Sequence, residues 1–163
     1  MELLRLNPFV LRITDPLSTL HERRESIVND FEEDIVSPVY VFPDIDNYFT
    51  IQGSEESYLI FNGNKRTVIA RELCRPIMAN VILSTEDLFT ANEKKSASKF
   101  TANEREKGLK RQMPPHVKFD YQSVRDHLLK RANEFARINQ QYTPCVISEG
   151  LKRVQSQIRA YNK

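Results

Sequence analysis

Residues 58–83 read YLIFNGNKRTVIARELCRPIMANVIL, and the rest of the chain arranges itself around them. The first four residues are an apolar run bounded by polar ones, too short for a helix and of strand length. Asn62 and Gly63 follow as a turn. Val68, Ile69 and Leu73 then recur at helical spacing, while Lys65, Arg66, Arg71, Glu72 and Arg75 fall largely elsewhere, which predicts an amphipathic helix over residues 64–74. Pro76 ends it, since its ring clashes with the preceding turn and it has no N–H to donate. Residues 77–83 form a second apolar run. The order is strand, turn, helix, strand.

The junction between turn and helix is where chemistry is expected. Gly63 stands where a turn needs positive φ or a close backbone approach. The amides after it open a helix, and a helix N-terminus presents unpaired N–H groups and partial positive charge that favour an anion. Lys65 and Arg66 sit in that first turn, against the dipole, an arrangement that a phosphate would complete. A solvent-facing turn whose basic residues pair with nearby carboxylates fits the same pattern, and the residues alone leave both readings open.

Gly63-Asn64-Lys65-Arg66 after a strand, followed by the helix TVIAREL and the strand RPIMANVI, resembles the ParB/sulfiredoxin superfamily, whose members carry a G-x-[HKR]-R box in that place. Upstream, Asn7, Pro8 and Arg12 resemble the N-P-x-x-x-R opening of ParB-type domains, residues 17–31 resemble the helix after it, and SPVYV at 37–41 resembles the strand before the box. The resemblance covers residues 6–84, about half of the 163-residue chain. It implies an α+β fold, a small mixed sheet with helices. It further implies that Gly63, Asn64, Lys65 and Arg66 hold the phosphates of a nucleoside triphosphate, CTP or ATP, with Mg²⁺, and that Arg12 assists. Two departures limit the chemistry. Asn64 stands where sulfiredoxin has its catalytic cysteine and where partition proteins have a glutamate, so neither sulfinic acid reduction nor carboxylate-assisted metal binding follows there. The E-N-x-x-R motif of partition proteins has as counterparts only Asn92-Glu93 and Asn103-Glu104-Arg105, in reversed order.

Composition sets the outer limits. A chain of 163 residues can build one core or a compact domain with an appendage. No apolar run approaches the roughly 18 residues of a membrane span, and the start MELLRLNPFVLR lacks the pattern of a signal peptide. A cytoplasmic protein with no membrane partner is expected. Cys74 and Cys145 have no CxxC or His-rich context, which disfavours a zinc site or disulfide framework. The net charge of +2 hides a division. Residues 1–91 hold 8 Lys and Arg against 15 Asp and Glu, a net of −7; residues 92–163 hold 16 against 7, a net of +9. The basic half suits nucleic acid or another polyanion, or alternatively the chain's own acidic half or an acidic partner.

In chain order, residues 3–13 read as an extended segment with Pro8 inside it, so a strand there is short or at an edge. Thr14 or Asp15 caps a helix with Pro16 in its first turn, and Leu17, Leu20, Ile27 and Phe31 mark its buried stripe. Residues 37–43 are a strand with apolar cover on both faces, and residues 48–52 another. Ser84 or Thr85 caps a short helix reaching Phe89. FTANEK at 89–94 repeats as FTANER at 100–105. The displacement suits one continuous helical face, and each copy also has the form of a capping box, so two helix starts are equally compatible. Residues 92–118 read as a basic linker or arm whose Lys94, Lys95, Lys99, Arg105, Lys110 and Arg111 can order on a phosphate backbone. Residues 119–163 read as a helical hairpin parted by Thr143 and Pro144, with stripes of Val124, Leu128, Leu129, Ala132, Phe135 and Ile138 and of Val146, Ile147, Leu151, Val154 and Ile158.

The expectation is thus a ParB/sulfiredoxin-like domain over residues 1–91, a basic arm over 92–118 and a hairpin over 119–163. Its function is nucleotide-dependent association with DNA or other nucleic acid, with NTP hydrolysis and homodimerisation compatible, of a kind found on phages and mobile elements. Two other classes fit the same residues. One is a ParB-like nuclease or small-molecule phosphotransferase; the other is a non-catalytic interaction protein that keeps the fold.

Overall fold

A computed structural model describes residues 1–44, 57–97, 113–135, 137 and 147–161. The strand expected at 48–52, the second FTANE copy, Thr143 and Pro144 lie outside the described residues, as do Lys99, Arg105, Lys110 and Arg111. The fold is α+β. Its elements are β1 (Glu2–Leu6), a 3₁₀ turn (Pro8–Val10), β2 (Leu11–Arg12), α1 (Leu20–Glu32), β3 (Val39–Asp44), β4 (Ser57–Asn62), α2 (Asn64–Leu73), β5 (Ile77–Val81), α3 (Thr85–Ala97), α4 (Tyr121–Glu134) and α5 (Ile147–Tyr161).

Five strands form one mixed sheet in the order β1-β5-β3-β4-β2. β1 runs antiparallel to β5 and β4 antiparallel to β3, whereas β5 pairs parallel with β3 and β2 parallel with β4. The extended opening segment therefore supplies both edges, split by the 3₁₀ turn at Pro8, as a residue without an N–H requires.

Strand alternation divides the core in two. On one face Val39, Val41, Ile60 and Ala79 meet Ile27 and Phe31 of α1 and Val68 and Ile69 of α2. On the other, Phe42, Leu59, Phe61 and Ile82 meet Leu88 and Ala91 of α3 and Val124, Leu128 and Ala132 of α4. Phe42 lies edge-on to Phe61 at 6.0 Å and tilted against Tyr121 at 5.2 Å. Helices thus cover both faces.

Several boundaries differ from the sequence reading. α1 starts at Leu20, because Leu17 adopts φ 61° and its N–H donates to Asp15 Oδ1 at 2.8 Å, closing a turn before the helix. α3 continues to Ala97. The first FTANE copy lies inside it and starts no helix: Thr90 Oγ1 donates back to the carbonyl of Glu86 at 3.0 Å. The segment read as an arm begins inside this helix, and Met113 near its end is buried in the core. α4 and α5 pack on different parts of the molecule. α4 covers β4, while Val154 and Ile158 of α5 cover Phe9, and Gln157 Nε2 donates to the Cys74 carbonyl at 2.7 Å.

Candidate functional site

β4 ends at Asn62 and α2 begins at Asn64, with Gly63 between them at φ 115°. That conformation is left-handed, and the space is closed as well: a Cβ on Gly63 would lie 2.2 Å from Val39 Cγ1. Glycine is the residue that satisfies both conditions. The chain can then turn directly from strand to helix against β3.

The turn is fixed from three sides. Asn64 Oδ1 accepts from the Thr14 N–H at 2.8 Å, and Thr14 Oγ1 donates to the Ile60 carbonyl at 2.5 Å. Thr67 Oγ1 donates to the Gly63 carbonyl at 2.9 Å. Arg66 Nη1 donates to the carbonyls of Ser37 at 2.6 Å and Pro38 at 3.0 Å. Asn64 and Arg66 therefore build the loop, and Lys65 is the box residue whose ammonium makes no such bond among the described residues. Among the described residues no side chain caps α2, and no acidic residue stands in its first turn.

The electrostatics are cationic. Among the described residues no carboxylate forms an ion pair with Lys65 or Arg66, which disfavours the reading in which neighbouring acids neutralise them. Burial lowers the Arg66 pKa, Tyr40 raises it and the like charge of Arg23 on α1 lowers it further. Tyr40 is raised by burial, with Arg66 opposing. Neither Arg23 nor Tyr40 stands out in the sequence. They reach the box through packing of α1 on α2 and through the register of β3.

The other residues singled out from sequence lie elsewhere. Arg12 is 1% exposed; its Nη1 donates to Asp44 Oδ2 at 2.7 Å and its Nη2 to Asn133 Oδ1 at 2.8 Å. It joins β2, β3 and α4, so its guanidinium is engaged in the interior. Asn7 Oδ1 accepts from the Phe9 N–H at 3.1 Å and shapes the 3₁₀ turn. Lys94 and Lys95 lie on the last turns of α3. Asn92, on the same helix, is 1% exposed. Arg71 of α2, which the helical spacing sets off the apolar stripe, is instead a buried cation: Nε donates to the Pro8 carbonyl at 3.0 Å and Nη2 to that of Leu11. Burial lowers its pKa to about 10, so it stays charged at neutral pH. Of the motifs, G-N-K-R meets SPVYV directly through Arg66 and the carbonyls of Ser37 and Pro38, whereas N-P-x-x-x-R meets α2 through Arg71 and the carbonyls of Pro8 and Leu11, with Arg12 turned toward Asp44 and Asn133.

Among the described residues no group of three or more His, Cys, Asp or Glu side chains could hold a metal ion, and no helix is long and apolar enough to cross a membrane. No protein-family model, no curated protein and no solved structure matches this chain.

Proposed function

We propose that this protein binds a nucleoside triphosphate through the α2 N-terminus and associates with nucleic acid through its basic C-terminal half. The carrying observation is the uncapped first turn of α2, set by Gly63 and holding Lys65 and Arg66 with no acidic residue. The first-turn N–H groups, the helix dipole and the Lys65 ammonium all belong to this one turn, and a phosphate bound there would satisfy all three. The resemblance of residues 6–84 to ParB-type domains supports a nucleotide as the source of that phosphate. The excess of cations over residues 92–163, a net of +9, supports the polyanion.

The reading is one of binding, with the triphosphate as ligand and Mg²⁺ as its counter-ion. Calorimetric titration of CTP, ATP, GTP and UTP with Mg²⁺ tests it. Lys65→Glu is the informative variant, because Arg66→Ala would also cut loose the carbonyls of Ser37 and Pro38. Saturable binding of at least one nucleotide is expected, weakened by about tenfold or more in Lys65→Glu as attraction becomes repulsion. Absence of binding by all four would remove the nucleotide from the function.

A further inference from the structure

Leu3, Asn80, Tyr40 and Asn62 are successive cross-strand neighbours on β1, β5, β3 and β4. Residues opposite one another in a sheet project from the same face, so the four stand in one row. Farther along this face, Phe42, Leu59, Phe61 and Ile82 are buried beneath α3 and α4. At the row the cover is incomplete: Asn80, Tyr40 and Asn62 are half-buried and Leu3 is 51% exposed. The register shift between Tyr40 and Val41 supplies the row's last member. Val41 opposes Ile60 while Tyr40 opposes Asn62, a bulge that brings an extra β4 residue against Tyr40.

The row lies on the α3–α4 face, at the strand end where Asn62 leads through Gly63 into α2 on the other face, and its chemistry is distinct from that of the helix terminus. Asn62 and Asn80 each carry an amide with two donors and an acceptor, and Tyr40 adds a ring and a hydroxyl. Their side chains make no hydrogen bond among the described residues. Such uncharged groups match the hydrogen-bonding edge and flat face of a heteroaromatic base, whereas a phosphate calls for the cations next door. Arg66 links the two places. It is anchored on the carbonyls of Ser37 and Pro38, immediately before β3, and so stands at the end of the strand that carries Tyr40. The next pair on the same face, Arg5 and Met78, adds another cation, and the row contains no carboxylate.

We propose that Tyr40, Asn62 and Asn80 form the subsite for the base of the nucleotide whose phosphates meet α2. This rests on the nucleotide reading above and adds base selectivity to it. Asn62 and Asn80 read the base edge, and Tyr40 supplies stacking surface between them.

The test compares each nucleoside triphosphate with inorganic tripolyphosphate, by calorimetry, on the whole chain and on Asn80→Ala, Asn62→Ala and Tyr40→Phe. One triphosphate should bind at least about tenfold more tightly than tripolyphosphate, and that ratio should collapse toward one in the asparagine variants. Tyr40→Phe keeps the ring and should retain most of the ratio. Equal affinity for all four triphosphates and tripolyphosphate would overturn the base subsite while leaving the phosphate site standing. A ratio unchanged by Asn62→Ala and Asn80→Ala would also overturn it. Titration of the four nucleosides, followed by the side-chain amide NMR signals of Asn62 and Asn80, separates the two readings from the other side. A shift of both signals by one nucleoside is expected even if phosphate binding fails. No shift with any nucleoside, together with no calorimetric selectivity, overturns the subsite.

Discussion

At the scale of single residues, Gly63 and Asn92 carry opposite consequences. Gly63 is held at φ 115° with Val39 2.2 Å from the place of a Cβ, so alanine there meets both an unfavourable backbone region and a wall of β3. Gly63→Ala should lower unfolding stability by about 2–4 kcal/mol, the sum of left-handed strain and overpacking. Denaturant unfolding measures it, and an unchanged midpoint would contradict the geometry. Asn92 is buried on α3 and, among the described residues, neither its Oδ1 nor its Nδ2 has a hydrogen-bond partner. A desolvated amide without partners is a cost that an apolar side chain of similar volume does not carry. Asn92→Leu should therefore stabilise the fold by about 1–2 kcal/mol, and a fall in the midpoint would show that the amide has a use in the native state. Sequence alone made Gly63 readable, since a glycine between an apolar run and a helical pattern has few other purposes. It gave no warning about Asn92, whose placement depends on which side of α3 meets the sheet.

At the scale of elements, legibility followed how local the determining signal was. The order β4, turn, α2, β5 was readable because Gly63 and Pro76 punctuate it and the apolar residues change period between them. The start of α1 was misplaced because Asp15 and Pro16 look like a helix opening, yet Asp15 bonds Leu17 two residues on and delays the helix. The reach of α3 was hidden by composition: its Lys- and Ser-rich end resembles an arm, while Leu88 and Ala91 bury its start on the sheet. Arg12 shows the limit most clearly. Its partners, Asp44 and Asn133, are 32 and 121 residues away, so nothing near Arg12 in the chain reveals that it is an interior group. Burying the Arg12–Asp44 pair is tolerated because the two charges offset each other, and removing one takes a close opposite charge from the other. Asp44→Asn should cost about 3–5 kcal/mol, and Asn133→Ala, which removes one neutral acceptor, about 1–3 kcal/mol. Equal losses in chemical denaturation would mean that the charge at Asp44 contributes nothing beyond a hydrogen bond.

At the scale of the whole molecule, the division of charge has to be reconciled with how the halves touch. A basic half could simply dock on an acidic one, and then its cations would be neutralised within the chain. The observed contacts of α5 are of another kind: Val154 and Ile158 pack on Phe9, and Gln157 bonds the Cys74 carbonyl. Apolar and amide contacts hold this helix, leaving Lys152, Arg153 and Arg159 exposed. They therefore remain available to a polyanion. Each cation that meets a phosphate of duplex DNA releases a counter-ion and contributes about 0.9 to the slope of log affinity against log salt. Fluorescence anisotropy of a labelled duplex over a series of salt concentrations should show affinity falling steeply as salt rises. Alanine at Lys152, Arg153 and Arg159 together should reduce the slope by about 2–3 if all three meet phosphates. The fold should be indifferent, since exposed substitutions away from packed contacts usually change stability by less than about 0.5 kcal/mol. A triple variant that unfolds at the same midpoint yet keeps the parent slope would move the nucleic-acid surface off α5 and onto the other cations of the basic half. If the parent chain does not bind duplex even at low salt, the charge division serves another partner, and single-stranded nucleic acid and an acidic protein become the next two to titrate.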